Sequence, residues 1–344
     1  MKVLVYPADK YGCGHFRMIW PGEELRKQGY DVDVIYGKDR HVRVHLEGEK
    51  VVDAEIEADV VVFQRLTHKY MSQVVSVLRS KGIAVVVDID DDLNAIDPNN
   101  PAWNMVHPKE EGWPHSWKHL NEACRTATLV TVSTPALLDV YAKHGRGHVL
   151  YNYLPDQYDG IPHTDSDVIG WPASYHSHPN DPIVVGGAIA RLVSEGYSFK
   201  MAGDASGAGK AFGLVSDPEG QPCSVEEWPY AVAQFGIGIA PLADTKFNRS
   251  KSWLKPLEMS AAGVPWVASP RAEYERLHAL GAGLTAERGR VWYRTLKSLA
   301  ESSQRRSELS EAGREVARGL RLADHAWRWL EAWERAWKIE QNKA

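Results

Sequence analysis

The sequence predicts an α/β protein with two structural halves, and three observations support this prediction. The chain has 344 residues, which exceeds the roughly 100–200 residues of a single domain. Hydrophobic residues make up 44% and charged residues 25% of it, a balance typical of a globular interior that excludes a disordered or fibrous protein. Short β-branched runs alternate with helical stretches, which is the order of a parallel sheet covered by helices.

The first half carries six strand candidates, each a short run rich in β-branched residues. They are residues 2–6, 32–36, 60–63, 84–88, 129–132 and 148–151. Residues 154–167 are polar, contain prolines and a glycine and show no apolar period, which predicts an interdomain linker. Further strand candidates follow and predict a second α/β half. They are residues 168–170, 199–202, 236–240 and 265–269.

Two stretches of the second half predict helices. The apolar residues of 183–196 fit a helix although the pair Gly186-Gly187 opposes one, and we expect a helix there. The charged stretch from Gln304 onward carries large apolar side chains at i, i+3 and i+4 spacing, which predicts an amphipathic helix packed on the protein. Those side chains are Leu322, Ala326, Trp329, Trp333 and Trp337. Such a helix can return to brace the first half.

Charge and cysteine usage narrow the class of protein. Forty basic and 45 acidic side chains give a formal net charge of −5, which disfavours a surface devoted to nucleic acid. The three cysteines are odd in number and far apart, which fits neither a disulfide framework nor a zinc site. No window approaches the ~18 apolar residues of a membrane span. We therefore expect a cytoplasmic protein without a membrane span.

A glycine-containing loop follows the first strand candidate and precedes a helical stretch. Gly12 and Gly14 let the backbone approach a ligand at a helix N-terminus, where free N–H groups favour an anion or a sugar hydroxyl. His15 and Arg17 add polar groups beside them. Arg17 stands where the dinucleotide fingerprint needs its third glycine, so NAD binding is disfavoured. The alternative is an ordinary strand–turn–helix corner.

Four carboxylates crowd the carboxyl end of the strand candidate 84–88, where open α/β sheets place their ligands. Asp88, Asp90, Asp91 and Asp92 repel one another unless a cation, an arginine or water relieves them. One hypothesis is a divalent metal held at Asp88 to Asp92. The alternatives are a solvated acidic loop that caps the next helix and a role beside a substrate that accepts a transferred group.

A second glycine-rich stretch follows the strand candidate 199–202. It resembles a phosphate-binding loop, but Asp204 stands where that motif needs a glycine and Ala211 where it needs a hydroxyl. The Walker interpretation therefore fails. Gly203 and Asp204 then belong either to a ligand-facing loop or to a plain turn.

Residues 247–269 predict a short helix followed by a strand. Pro256 suits the first turn of the helix, Gly263 suits its C-terminal cap and Pro265 prevents its continuation. Lys251 and Lys255 fall just before or at the start of this helix, and Glu258 falls in its first turn. Cations and free amides suit phosphates, and a carboxylate suits sugar hydroxyls.

This segment resembles the nucleotide-binding half of retaining GT-B glycosyltransferases, in particular glycosyltransferase family 4. The matching pieces are Glu258, the small residues 259–262, Gly263-Val264-Pro265 and the strand 266–269. Further pieces match in chain order over nearly the full length. They are the loop with Gly12, Gly14 and Arg17, then residues 130–141, 149–155, 169–182 and 201–204. Ser250 departs from the family, which often has a second glutamate at this position.

The resemblance implies two Rossmann-like domains that face a central cleft, with the C-terminal helix bracing the first. The implied ranges are 1–155 for the acceptor-side domain, 156–167 for the linker, 168–315 for the nucleotide-sugar-binding domain and 316–344 for the returning helix. Glu258 would hold the ribose hydroxyls of the donor. The full implied donor-binding set is Gly12, Gly14, Arg17, Gly203, Asp204, Ser250, Lys251, Lys255 and Glu258.

The implied reaction is transfer of a sugar from a nucleotide diphosphate sugar to an acceptor hydroxyl, with retention and without a required cofactor. Lys251, Lys255 and the helix N-terminus would stabilise the departing diphosphate without a metal. The catalytic candidates are His15, Asp90 and Asp92. If one of them acts as a general base, inversion at the anomeric carbon is favoured instead. The acceptor stays open among a glycan, a protein, a lipid and a modified DNA base. The alternatives are a phage-type enzyme acting on a modified DNA base and a non-catalytic nucleotide-sugar-binding protein.

Overall fold

The chain divides into two compact units. The structure is a computed structural model that describes residues 1–36, 42–110 and 112–343, so residue 344 of the predicted C-terminal helix range lies outside the described residues. Unit 1 consists of Met1–Ile96, Ala102–Tyr153 and Leu322–Ala344. Unit 2 consists of Asp97–Pro101 and Leu154–Arg321. Residues 154–167, which the sequence assigns to a linker, are counted in unit 2, where Tyr158 and Ile161 are buried.

Unit 1 is built on a six-stranded sheet in the order β2-β1-β5-β6-β7-β8, and every pairing in it is parallel. A separate antiparallel hairpin joins β3 to β4. The strands are β1 (Val3–Tyr6), β2 (Val32–Val34), β3 (Arg43–Glu47), β4 (Lys50–Glu55), β5 (Val60–Gln64), β6 (Ala84–Ile89), β7 (Leu129–Val132) and β8 (Gly147–Val149). Strands β5, β6 and β7 are buried along their whole length, as expected for parallel strands covered on both faces.

Unit 2 is built on a five-stranded parallel sheet in the order β10-β9-β11-β12-β13. The strands are β9 (Ile169–Pro172), β10 (Phe199–Ala202), β11 (Ile237–Ala240), β12 (Trp266–Ala268) and β13 (Leu284–Thr285). Its core contains the fully buried indoles of Trp171 and Trp292. A mixed α/β fold with parallel sheets, the class that the sequence predicts, is therefore confirmed.

The helices connect the parallel strands and cover the sheets. They are α1 (Gly12–Gly14), α2 (Trp20–Lys27), α3 (Lys69–Ser80), α4 (Trp103–Val106), α5 (Trp117–Thr126), α6 (Pro135–Tyr141), α7 (Ala188–Ser194), α8 (Ala208–Phe212), α9 (Trp228–Ala233), α10 (Leu254–Ala262), α11 (Glu273–Ala279), α12 (Gly289–Ala300), α13 (Ser303–Arg318), α14 (Leu322–His325) and α15 (Trp327–Gln341). A π-helical turn, His15–Ile19, links α1 to α2. Within the described residues, no helix combines the length and the apolar character that crossing a bilayer requires.

The C-terminal helix α15 packs on unit 1, so the predicted bracing of the first half is confirmed. Trp329 and Trp333 are fully buried there, and the indole N–H of Trp329 donates to the carbonyl of Arg17 at 3.0 Å. At the far end of the helix, Glu340 accepts from Arg79 Nε at 2.6 Å and from Thr128 Oγ1 at 2.7 Å. Buried tryptophans of this size each contribute about 3–5 kcal/mol when compared with alanine.

The predicted helix over residues 183–196 is correct only in its second part. Asp181–Val185 form a 3₁₀ helix, and α7 begins at Ala188. Gly186 and Gly187 lie between them in the left-handed region, with φ of 53° and 74°. Because a left-handed residue ends an α-helix, the glycine pair separates two helical segments that the apolar pattern alone reads as one.

Candidate functional site

The short helix α10 has the ends that the sequence predicts. It begins at Leu254, and Gly263 caps its C-terminus with a φ of 77°. That φ is one that residues with a side chain rarely adopt, and a Cβ at Gly263 would also lie 2.3 Å from the guanidinium of Arg314, so glycine is favoured there. At the other end the N-cap is Trp253, whose indole carries no hydrogen-bond acceptor for the amides of the first turn. The side chain at the N-cap position of α10 therefore does not cap the helix.

Lys255 lies in the first turn of α10 and begins a chain of polar contacts. Its Nζ is 3.0 Å from Nε2 of His178, and Nδ1 of His178 is 2.9 Å from Oδ2 of Asp181. The other oxygen of Asp181 accepts from the backbone N–H of Ala243 at 2.9 Å and from Nδ2 of Asn248 at 2.6 Å. These bonds connect α10 to the segment after β9, to the segment after β11 and to the 3₁₀ turn Asn248–Ser250. Sequence reasoning selected Lys255 but missed its partners.

Glu258 is buried, with 5% of its surface exposed, although the resemblance gives it a ligand role. The hydroxyl of Tyr158 donates to its Oε1 at 2.5 Å. Burial raises the pKa of Glu258 to about 7, against the bond from Tyr158 and the charge of Lys255, which both lower it. The same burial raises the pKa of Tyr158 well above its usual value. Glu258 therefore changes charge near neutral pH.

The remaining predicted residues before α10 have unequal exposure. Ser250 is buried, and its hydroxyl donates to the carbonyl of Phe247 at 2.8 Å. Lys251 is half-buried, with its Nζ 4.2 Å from the centre of the Phe247 ring. Phe247 thus contacts both residues, Ser250 through its carbonyl and Lys251 through its ring. Of the two, Lys251 is the one that a ligand in solvent can reach.

Gly203 and Asp204 form a tight turn at the carboxyl end of β10. Gly203 has a φ of 117°, and a Cβ on it would lie 2.8 Å from the backbone of Ala173. The N–H of Asp204 donates to Oγ of Ser174 at 3.1 Å, and its carboxylate accepts from the N–H and hydroxyl of Ser206. These contacts hold the ends of β9 and β10 close together. The carboxyl edge of this sheet is the usual ligand edge of an open α/β fold.

In unit 1 the glycine loop after β1 is fixed by hydrogen bonds. The carboxylate of Asp9 accepts from the N–H of Tyr11 at 2.9 Å and of Gly14 at 3.1 Å. Gln64, at the end of β5, donates to the carbonyl of Cys13 and accepts from the N–H of Ala8. These bonds attach the loop to the carboxyl edge of the unit 1 sheet.

The two glycines of this loop are not equivalent, which gives a matched pair of variants. A Cβ at Gly14 would lie 1.9 Å from the carbonyl oxygen of Asp9, whereas a Cβ at Gly12 meets nothing within 4 Å. We expect Gly14→Ala to shift the loop and lower the free energy of unfolding by about 1–3 kcal/mol, as overpacking does. Gly12→Ala serves as the control and should change it by less than about 0.5 kcal/mol. Urea denaturation of both variants tests this, and equal effects would contradict it.

His15 and Arg17 follow the loop but differ in access. His15 is half-buried, and its Nδ1 lies 2.9 Å from the carbonyl of Tyr11. Arg17 is fully buried and forms a two-pronged pair with Asp88, at 3.0 Å and 2.7 Å. Its Nη1 also donates to Oδ1 of Asn152 at 3.0 Å. The guanidinium of Arg17 is therefore bonded inside unit 1, beneath the loop.

The four aspartates at the carboxyl end of β6 have different partners. Asp88 pairs with Arg17, and burial raises its pKa despite that charge. Asp90 accepts from Nε and Nη2 of Arg65 at 2.5 Å each; burial alone would raise its pKa, but the charge and hydrogen bonds of Arg65 hold it below the usual value. Asp92 is 1% exposed and accepts from the N–H of Asn94 and the hydroxyl of Tyr141. Arginines therefore relieve the repulsion that the sequence indicates.

Asp91 is the most accessible of these carboxylates, and it is not among the catalytic candidates chosen from the sequence, which are His15, Asp90 and Asp92. It is half-buried, whereas Asp88, Asp90 and Asp92 are all buried. Its Oδ2 lies 3.6 Å from Nη2 of Arg65. Arg65 itself adopts a φ of 49°, a left-handed conformation that costs a non-glycine residue about 1–2 kcal/mol. The signal for Arg65 in the sequence was its place directly after the buried strand β5.

The metal hypothesis for Asp88 to Asp92 finds a poor set of ligands. Two of these carboxylates are taken by arginines, and Asp92 caps a turn. In the part of the chain that the structure describes, the three ligand atoms that come within 4.8 Å of one another belong to His45, Asp53 and Glu55 on the β3–β4 hairpin. Asp53 there is already paired with Lys81.

Comparison with known proteins gives structural matches only. No protein-family model matches the sequence, and no curated protein matches it. Among solved structures, a sucrose-phosphate synthase from Thermosynechococcus elongatus matches with a TM-score of 0.65 at 11% identity, covering 97% of this chain and 99% of that one. HepE from Anabaena, solved in complex with UDP, matches with a TM-score of 0.61 at 13% identity over 96% and 99%. The catalytic domain of starch synthase IV from Arabidopsis thaliana, bound to ADP and acarbose, matches with a TM-score of 0.61 at 11% identity over 98% and 99%.

These structures match this chain over nearly its full length, both sheets included. At 11–13% identity the match concerns the fold. The two-sheet α/β chain described here has the GT-B fold.

Proposed function

We propose that the protein is a glycosyltransferase that moves a sugar from a nucleotide diphosphate sugar to an acceptor hydroxyl, with retention at the anomeric carbon. The observation that carries the proposal is the position of Lys251 and Lys255 around the N-terminus of α10, on a chain with the GT-B fold. Its structural neighbours include proteins solved with UDP and with ADP, which are the products expected from such donors.

Unit 2 is proposed as the donor side. A departing diphosphate gains negative charge, which ammonium groups and helix-terminal N–H groups stabilise without a metal. Lys255 and Lys251 supply the cations, and the first turn of α10 supplies the amides. Glu258 is proposed to accept from the ribose hydroxyls, and Ser250 stands where the family that the sequence resembles often has a second glutamate. Gly203 and Asp204 close the same edge of the sheet.

Unit 1 is proposed as the acceptor side. His15, in the π-helical turn after α1, and Asp91, after β6, lie at the carboxyl edge of its sheet, where an acceptor hydroxyl can be oriented. Asp90 is less suited to act as a general base because it is buried and paired with Arg65, and Asp92 is bonded to Tyr141 inside the unit. Asp91 is therefore the carboxylate that we propose to contact the acceptor.

A donor screen tests this function. We expect the protein to release nucleoside diphosphate slowly from at least one UDP- or ADP-sugar, even without an acceptor. Lys255→Met should lower the rate by about tenfold or more, because one charge-assisted contact to the leaving diphosphate is lost. Lys297→Met is the matched control, since Lys297 pairs with Glu195 on the surface of the same unit. The absence of both hydrolysis and binding across a broad panel of donors would overturn the proposal.

The anomeric configuration of the product, measured by NMR, tests the proposed retention. We expect the product to retain the configuration of the donor. An inverted product would support glycosyl transfer but contradict the retaining mechanism.

A further inference from the structure

We propose that His178 and Asp181 are positioning residues that hold the ammonium group of Lys255 in place for the donor diphosphate. The proposal rests on the proposed function for the identity of the ligand. The hydrogen-bond chain that carries it stands on the structure alone.

The chemistry of the three side chains fixes the direction of each hydrogen bond between them. An ammonium group can only donate, so Nε2 of His178, 3.0 Å from Lys255 Nζ, must be the nitrogen with the lone pair. The proton of the neutral ring then sits on Nδ1, where Oδ2 of Asp181 accepts it at 2.9 Å. Asp181 thereby selects the tautomer of His178, and that tautomer selects where Lys255 points.

Asp181, at the buried end of this hydrogen-bond chain, is held in place. Asp181 is 2% exposed, and its second oxygen is held by the N–H of Ala243 and by Nδ2 of Asn248. Asn248 is buried too and also donates to the carbonyl of Ala243 at 3.0 Å. His178 is 10% exposed and packs against the ring of Trp171. A flexible lysine stem is thus directed by two side chains with few available rotamers.

The charges around His178 agree with a neutral ring. Burial, together with the positive charges of Lys255 and Lys251, lowers its pKa to about 4, although Asp181 acts in the opposite direction. His178 consequently accepts from Lys255 throughout the physiological pH range and does not compete with it as a cation.

Asp181→Asn is the sharpest test, because it changes the pattern of donors with little change of shape. The single amide oxygen of Asn can still accept from Ala243 and Asn248, which turns its NH₂ group toward Nδ1 of His178. The ring must then carry its proton on Nε2 and present a donor to the ammonium of Lys255. We expect binding of UDP and of ADP, measured by calorimetry, to weaken about tenfold, as on loss of a hydrogen bond to a charged group.

A double-mutant comparison separates positioning from a general structural effect. In the Lys255→Met background, Asp181→Asn should cause no further loss of UDP or ADP binding, because the group that it positions is gone. His178→Gln, whose amide oxygen can accept from Lys255, should bind better than His178→Ala. His163→Gln is the matched control, since His163 lies in the same unit with its Nδ1 near the carbonyl of Ala233. Equal losses from Asp181→Asn in both backgrounds would overturn the proposal.

The tautomer of His178 gives a readout that does not depend on any ligand. Nitrogen NMR of the ¹⁵N-histidine-labelled protein at pH 7, assigned with His178→Gln, should show the proton on Nδ1, and Asp181→Asn should move it to Nε2. A proton on Nε2 in the unchanged protein would refute the positioning chain. If the tautomer is as stated but neither UDP nor ADP binds, the proposed donor fails and the positioning chain stands.

Discussion

Arg17→Met is expected to lower the free energy of unfolding by about 3–5 kcal/mol, the cost of leaving a buried carboxylate without its partner. Both side chains of the Arg17–Asp88 pair are at most 1% exposed. The substitution also removes the hydrogen bond that Arg17 Nη1 donates to Oδ1 of Asn152 at 3.0 Å. Urea denaturation followed by tryptophan fluorescence measures the loss.

Two further variants separate the buried charge from a general loss of arginine. Arg125→Met removes a guanidinium from the exposed pair with Glu122, whose side chains are 68% and 48% exposed, and should cost less than about 1 kcal/mol. Adding Asp88→Leu to Arg17→Met should recover part of the loss, because the unpaired charge disappears. An Arg17→Met protein as stable as Arg125→Met would contradict this interpretation of the pair.

Glu258→Gln is expected to change the pH dependence of stability. Burial raises the pKa of Glu258 from 4.5 to about 7, so the folded protein binds more protons than the unfolded chain between those pH values. Stability contributed by this group is therefore lost as the pH rises through that window, by on the order of 3 kcal/mol. Glutamine does not titrate. Relative to the unchanged protein, the variant should thus gain stability from pH 5 to pH 8.

Urea denaturation of both proteins at pH 5 and pH 8 measures that difference. The comparison removes the contribution of other groups that titrate in the same range, because both proteins contain them. Tyr158→Phe provides a second check, because the hydroxyl of Tyr158 lowers the pKa of Glu258 and its removal should raise it further. A parallel pH dependence for Glu258→Gln and the unchanged protein would contradict the buried, titrating carboxyl. Separately, a Glu258→Ala protein that binds donor nucleotide normally would remove the proposed ribose role.

Buried strands were the part of the fold that the sequence could predict. Each strand of the two parallel sheets except β13 overlaps a predicted run, and most of these strands are buried and therefore apolar and β-branched. The hairpin β3–β4 was missed, since most of its residues are polar and exposed and carry no such signal. Strand β13 has two residues, too few for any pattern.

The candidate site was less predictable because its side chains are organised by partners far away in the sequence. Local motifs pointed to Lys255, Glu258 and the aspartates, but not to what each one contacts. Arg17 meets Asp88 across 71 positions, and Lys255 meets His178 across 77. No spacing rule encodes such pairs. They follow from the order of the strands, which brings distant loops to one edge of each sheet.

The path of the chain through the two units sets an order for folding during synthesis. Domains usually fold as they emerge, the N-terminal one first. Here the main segment of unit 2, Leu154–Arg321, is continuous, whereas unit 1 still lacks α14 and α15 when that segment has been made. Trp329 and Trp333, which fill the core of unit 1, follow the whole of that segment in the chain. The unit that is begun first is therefore finished after the other, and the sheet face that α15 covers stays exposed until α15 has been made.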